Sequence, residues 1–485
     1  MSFMLCRTVA ACAAIFVATA SLLAAPAVET TGDYAVVVSA ETMKDPNWAN
    51  VATALAKKHS AKTITYEDDV TSCLPDLRKM MPRHACFLAR PREAGRDFVV
   101  DIHRLTRTLD GDPYTDVVWG ILTGYRPADA MRIVREAGPL VIRKACAGTG
   151  INLGLFESGK WFSEGKAGEY GVKKPGGKAE KRNDGPTDST QNIVAYLNRA
   201  QPDLFLTSGH ATEHDWQLGY SYRNGQFVCG NGMLFGQDRR RRLFLIDSPN
   251  PKVYLAAGNC LIGHIEDTSS MALGWLGSGG AVQMVGYTVS TWFGAMGWGT
   301  RDLLMDLPGR HDLAEAFYFS NQDIVYRLHK EFPKTANVKL RRFNIETDKR
   351  LLGTCIAKLG YTKFNAQAKR HMGLLWDRDT VAFYGDPAYD ARLATRELPV
   401  TTELVEADGK WTLTVRSKEA CKFKKPLAML LPKRIGPATV TEGKDLEPVI
   451  TDDFIMLIGL TEMQTGQTKK LVFTVGQATT KPKPE

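Results

Sequence analysis

Six short apolar runs recur along the chain, each closed by turn-forming residues. They are YAVVVSA (34–40), HACFLAR (84–90), DVVWGIL (116–122), LFLTSG (204–209), VYLAAG (253–258) and GAVQMVGY (280–287). Their lengths suit strands, and unbroken apolarity marks strands covered on both faces. KTITYE (62–67) adds an alternating run. Between the runs lie stretches with helical spacing. In PNWANVATALAKKHS, Trp48, Val51 and Leu55 share one face, and similar segments fall near 127–137, 189–199, 267–276 and 311–329. Strands alternating with helices predict an α/β fold: a mostly parallel sheet between two helical layers. Such sheets present their chemistry at the carboxyl ends of strands.

Three segments depart from this pattern. Residues 1–27 carry Arg7 as their only charge, followed by a small, apolar run from Val9 to Ala25 and small-x-small sites ending at Ala25 and Ala27. That pattern predicts a secretory signal peptide, hence a periplasmic, cell-surface or extracellular protein. No later stretch is apolar enough to predict an integral membrane segment. Residues 157–188 are rich in Gly, Lys and Glu and are expected as a flexible surface insertion within a main domain spanning 28–394. From 395 to 478, short alternating runs separated by turns such as Ala407-Asp408-Gly409 predict a small Ig-like β-sandwich, with 479–485 a disordered tail.

Composition narrows the chemistry. Seven cysteines follow the signal peptide, scattered and without a C-x-x-C, so neither a disulfide scaffold nor a zinc ribbon is expected. The net charge of +9 is spread along the chain, and no nucleic-acid partner is expected. The sequence contains neither G-x-S-x-G nor a Walker A motif, which argues against a serine hydrolase or a nucleotide enzyme.

Two strand ends carry reactive groups. DLFLTSGHATEHDW (203–216) releases His210 directly after Gly209. KVYLAAGNCLIGHIED (252–267) releases Cys260 directly after Asn259. If the two strands are neighbours, a thiol meets an imidazole, the minimum for nucleophilic catalysis. Cys260 is then the nucleophile and His210 the general base and acid. The N–H groups of Gly209 and Cys260 are candidate oxyanion donors. Trp216, Asn259, Tyr287 and Trp292 are candidate substrate contacts. A rival reading takes His210-x-x-Glu213-His214 as a zinc metallopeptidase motif. That motif needs a helix to put both histidines on one face, whereas here it follows a strand-like run. No cofactor is required by the dyad. The Asp110, Asp112 and Asp116 carboxylates could hold a structural calcium ion.

Five segments, in order, resemble the gingipain family of cysteine peptidases in the caspase-fold clan. They are TSGHATEHDW, YLAAGNCLIG, GSGGAVQMVGY (277–287), DLAEAFY (312–318) and VAFYGDPAYDARL (381–393). The likeness spans roughly residues 33–393 and continues into the C-terminal sandwich, which gingipains also carry. It implies a caspase-like α/β/α sandwich, a Cys260–His210 dyad, polypeptide substrates and, by order along the chain, Asp116 as the acid orienting His210. Three departures stand out: Ala211 and Asn259 where the family has small residues, and Gly124-Tyr125 in place of a Gly-Arg pair. A catalytically inactive caspase-fold surface or binding protein is the alternative.

Overall fold

Twelve strands, numbered here in chain order, form one sheet in the computed structural model, which describes residues 33–291, 293–340 and 349–476. They are Tyr34–Ser39 (β1), Lys62–Tyr66 (β2), His84–Leu88 (β3), Val118–Leu122 (β4), Lys144–Ala147 (β5), Ser158–Phe162 (β6), Tyr170–Lys173 (β7), Glu180–Arg182 (β8), Leu204–Gly209 (β9), Lys252–Asn259 (β10), Ala281–Tyr287 (β11) and Val381–Gly385 (β12). The order across the sheet is β2-β1-β3-β4-β12-β11-β10-β9-β5-β6-β7-β8. Pairings are parallel except β11–β12, β6–β7 and β7–β8. The expected signal peptide, Trp292 and the C-terminal tail lie outside the described residues.

Strands β1, β4, β11 and β12 are buried along their whole length, as the unbroken apolar runs require when both faces are covered. The helices that cover them are Pro46–Lys58 (α1), Arg96–Thr106 (α2), Pro127–Arg135 (α3), Thr190–Ala200 (α4), Met271–Leu276 (α5), Ala295–Met305 (α6), Leu313–Glu331 (α7) and Ala366–Thr380 (α8). They pack as two sets. In one, α1 lies on α3 and β1, α4 on β5, and α5 on β11. In the other, α2, α6, α7 and α8 pack together, with α6 on β10 and α7 on β4. Local sequence starts these helices where they begin. Asp45 caps α1 ahead of Pro46, and Asp312 with Glu315 closes a capping box at α7. The fold is thus an α/β/α sandwich on a mostly parallel sheet. Among the described residues no helix is long and apolar enough to cross a membrane.

The stretch 157–188, expected as a flexible insertion, is instead three strands, β6 to β8, that extend the sheet. Its low apolar content reflects an edge position, where one face stays wet and charged residues keep the edge from pairing further. Lys160 lays its ammonium over the Phe162 and Tyr170 rings at 4.8 and 4.6 Å. Only 174–184 is continuously solvent-facing.

The C-terminal segment forms antiparallel sheets over a core of Trp411, Leu413, Leu457 and Phe473. It is fused to the main unit rather than tethered. Phe454 meets Tyr114, Tyr318 and Phe319 edge-on. Arg434 donates to the carbonyls of Met81 and Pro82, and Arg83 donates to that of Leu431.

One buried carboxylate pins the start of the chain to its last main-sheet strand. Asp386, just past β12, accepts from Tyr34 Oη at 2.8 Å and from Lys58 Nζ at 3.1 Å, and lies 2.7 Å from His59 Nε2. Burial alone would raise its pKa. The His59, Lys58 and Tyr34 contacts outweigh burial and hold it far below the usual carboxylate range. A depressed folded-state pKa contributes stability above the unfolded value near 3.9, and that stability is lost as pH falls through the folded value. Asp386→Asn is expected to cost about 3–5 kcal/mol at neutral pH, because it leaves buried partners uncompensated. It should also flatten the acid limb of a urea-unfolding series below about pH 4. An unchanged acid limb would contradict this role.

Candidate active site

Strands β9 and β10 pair in parallel from Leu204 opposite Val253 to Thr207 opposite Ala256. The register then shifts by one residue, so that Ser208 faces Gly258 and Gly209 faces Asn259. His210 and Cys260 are the next residue on each strand. Neighbouring strands lie about 4.8 Å apart, so the two side chains leave the sheet side by side. Both border an open cleft of about 500 Å³, together with Glu164, Tyr220, Thr291 and Trp298.

Cys260 is a half-buried thiol, as are Cys229 and Cys421, while the other four described cysteines are buried thiols. The Thr291 amide donates to Cys260 Sγ at 3.2 Å. The His210 ring is exposed and stacks on Tyr220, with centroids 4.7 Å apart and planes 24° from parallel. Its carbonyl accepts from the Gln217 amide at 2.9 Å, which anchors the turn behind the ring. Gly209 sits at φ +99°, and a Cβ there would make only ordinary contacts, with Tyr220 Cβ at 3.9 Å and the Gln217 carbonyl at 4.0 Å, so its requirement is conformational rather than steric. Gly258 has the opposite reason. A Cβ there would stand 3.2 Å from the Trp298 ring, which packs against the strand.

Asp116 lies away from His210. It precedes β4, which lies four strand positions from β9, on the order of 19 Å at ~4.8 Å per step. Asp116 is buried and accepts from the Leu109 amide at 3.2 Å. Burial, reinforced by Asp110 and Asp112, holds its pKa well above the usual range, and similar causes raise Asp112 to about 7. The carboxyl oxygens of Asp110, Asp112 and Asp116 lie within 4.8 Å of one another. They sit beside the C-terminal sandwich, where Arg434 reaches the Asp116 carbonyl. Two other acids near the histidine are engaged elsewhere: Asp215 accepts from Thr212, and Asp267 pairs with His214 at 3.2 Å.

The zinc reading fails on geometry. Residues 210–214 form no helix, and Glu213 and His214 converge with Glu266, a group that does not include His210. His264 is no rival base, since burial and the adjacent Arg96 lower it to about 4.

Three expected substrate contacts are buried. Trp216 is fully covered and donates from Nε1 to the Ser208 carbonyl at 2.9 Å, a strut beneath the histidine strand. Tyr287 is fully buried and donates to Asp377 at 3.0 Å. Asn259 is 0 % exposed, because its side chain turns inward between the strands. Trp292 lies outside the described residues.

The cleft also holds residues that sequence reading passed over. Glu164 falls in the stretch taken for a structureless insertion. Burial raises its pKa against the lowering effect of the Thr149 and Ser208 hydroxyls, and Thr149 donates to its Oε1 at 2.9 Å. The Glu164 carbonyl also accepts from Tyr220 and Ser221, which holds the Tyr220 loop under the histidine. Only the position of 164 just past a strand end could have flagged it.

No protein-family model and no curated protein matches the chain. Among solved structures, the complex of the pro- and mature domains of Porphyromonas gingivalis RgpB is similar at a TM-score of 0.38 and 10% identity, covering 90% of this chain and 99% of that one. This is a distant structural relationship, and the functional reading rests on the residues themselves.

Replacing Gly209 by alanine is expected to force a left-handed backbone on a residue with a Cβ, at a cost of roughly 1–2 kcal/mol. Thermal unfolding measures it, and an unchanged Tm would contradict the positive φ.

Proposed function

We propose that the chain is an exported cysteine endopeptidase. Its nucleophile is Cys260, and His210 is its general base and acid. The observation that carries this reading is the release of both residues from adjacent parallel strand tips into one open cleft. The N-terminal apolar leader supports export.

In the first step His210 takes the Cys260 proton and the thiolate attacks the scissile carbonyl carbon. A C–S bond forms, and the carbonyl π electrons move to oxygen. The N–H groups of Gly209 and Cys260 face the developing oxyanion, whose stabilisation lowers the barrier. Collapse breaks the C–N bond, and the amine leaves with the proton from His210. Water, deprotonated by the same imidazole, then hydrolyses the thioester and restores the thiol. Tyr220 stacks on the imidazole and limits its rotation, the task first assigned to Asp116. Substrate lies across the strand tips between Tyr220 and Trp298, with the Glu164 carboxyl in the wall. Asp110, Asp112 and Asp116 are distant from the chemistry, and as three converging oxygens suit a structural calcium ion.

An iodoacetamide-type probe tests the nucleophile. Burial pushes Cys73 up to about 12 and Cys229 to about 11, so they stay protonated and slow. Selective labelling of Cys260 is expected, slowed about tenfold by His210→Ala, as follows when a paired thiolate reverts to an isolated thiol. Labelling spread evenly over the seven thiols would sink the proposal. The calcium site has its own test. Chelation with EGTA is expected to lower the Tm of the native protein, and to leave Asp112→Asn unaffected. Identical melting with and without calcium would count against it.

A further inference from the structure

The register shift between Thr207 and Ser208 interrupts the backbone ladder just where the two strands must present His210 and Cys260 at a fixed separation. The ladder resumes with Ser208 opposite Gly258 and Gly209 opposite Asn259, and a side-chain contact adds to it at the irregularity. One side chain spans the gap. Asn259 is completely buried, and its Oδ1 accepts from Thr207 Oγ1 at 2.6 Å while its Nδ2 donates to the Gly209 carbonyl at 3.3 Å.

The network has a direction. Thr207 has one hydroxyl proton, and Asn259 Oδ1 takes it. The Tyr254 hydroxyl, 3.1 Å from Thr207 Oγ1, is therefore the donor in that pair. The run Tyr254 to Thr207 to Asn259 to Gly209 fixes the orientation of the amide, and its three side chains are all buried. The main chain of the same residue serves the other partner. The Asn259 carbonyl accepts from Thr291 Oγ1 at 2.8 Å, and the Thr291 amide is the donor to Cys260 Sγ. Asn259 thus ties the residue before the histidine to the loop that touches the sulfur.

We propose that Asn259 is a positioning residue that sets the separation of the imidazole and the thiol, a role that rests on the dyad reading above. A small residue here leaves the Thr207 hydroxyl without an acceptor and the Gly209 carbonyl without its donor. The change Asn259→Asp would put a second acceptor against that carbonyl. The consequence is specific: the chain needs an amide of this length at this position.

The test is the pH dependence of Cys260 alkylation alongside peptide hydrolysis, in the full-length protein. Asn259→Ala is expected to lower kcat about a hundredfold, the scale of a 1 Å misplacement, with KM little changed. Its alkylation profile should move up toward the ~8.5 of an isolated thiol. A merely structural loss would lower the Tm and leave the profile of the folded protein where it was, which would overturn the proposal. Thr207→Val probes the same bond from the other side and stands in if Asn259→Ala does not fold. It should shift the profile the same way, and Thr207→Ser, which keeps the hydroxyl, should restore it. A valine variant with the native profile refutes the role. A native profile already that of an isolated thiol, indifferent to His210→Ala, overturns the dyad reading itself, and so is distinguishable from failure of the Asn259 role alone.

Discussion

The parallel pairing of β9 with β10 is the constraint on which the rest of the site depends. Both strands are apolar along their inner length, so they are stable only inside a sheet covered on both faces. The helical layers supply that cover. Once the strands are neighbours, the residues at their tips have no choice of company: Gly209 faces Asn259, and His210 and Cys260 follow. The register shifts between Thr207 and Ser208, and the cleft opens just beyond the paired tips. Trp216 supports one tip through the Ser208 carbonyl, and Trp298 packs against the other at Gly258.

Strand direction explains why a plausible acid went elsewhere. In a sheet parallel throughout, a residue preceding β4 would stand on the rim opposite His210. That is where it lies: Arg96, just past the carboxyl end of β3, donates to the Thr288 carbonyl and lies beside His264, so β3 and its parallel neighbour β4 point their carboxyl ends to the His210 rim, and Asp116, which precedes β4, stands at the other. Distance across the sheet adds to the separation. Asp116 instead meets Asp110, Asp112 and the sandwich, in a cluster concerned with the junction of sheet and sandwich. The His210 ring instead stacks on Tyr220, whose amide is held by the Glu164 carbonyl.

Much of this was legible in the chain. The apolar runs at 34–40, 84–90, 116–122, 204–209, 253–258 and 280–287 each lie within a residue or two of a sheet strand, and the helices near 127–137, 189–199 and 311–329 are present. Long runs with one periodicity and clear caps leave little freedom. The tips were legible too, since a reactive side chain directly after a buried strand has few places to go. What escaped was set by partners distant in sequence. The edge strands β6 to β8 look like a loop because an edge needs little apolar surface. Strand β12 runs against β11, and nothing local to 381–385 states its direction. Burial of Trp216, Tyr287 and Asn259 depends on what packs over them. An aromatic or amide next to a catalytic residue reads as a substrate contact until the neighbouring strand is in place.

The account stands on a covalent bond between substrate and Cys260 Sγ. Rapid quenching of the protein with an activated peptide ester, followed by peptide mapping, measures that bond directly. The account predicts one acyl group per chain, on Cys260, formed in a burst and absent from Cys260→Ser. An acyl group on another residue, or ester turnover that persists undiminished without the Cys260 thiol, would contradict it.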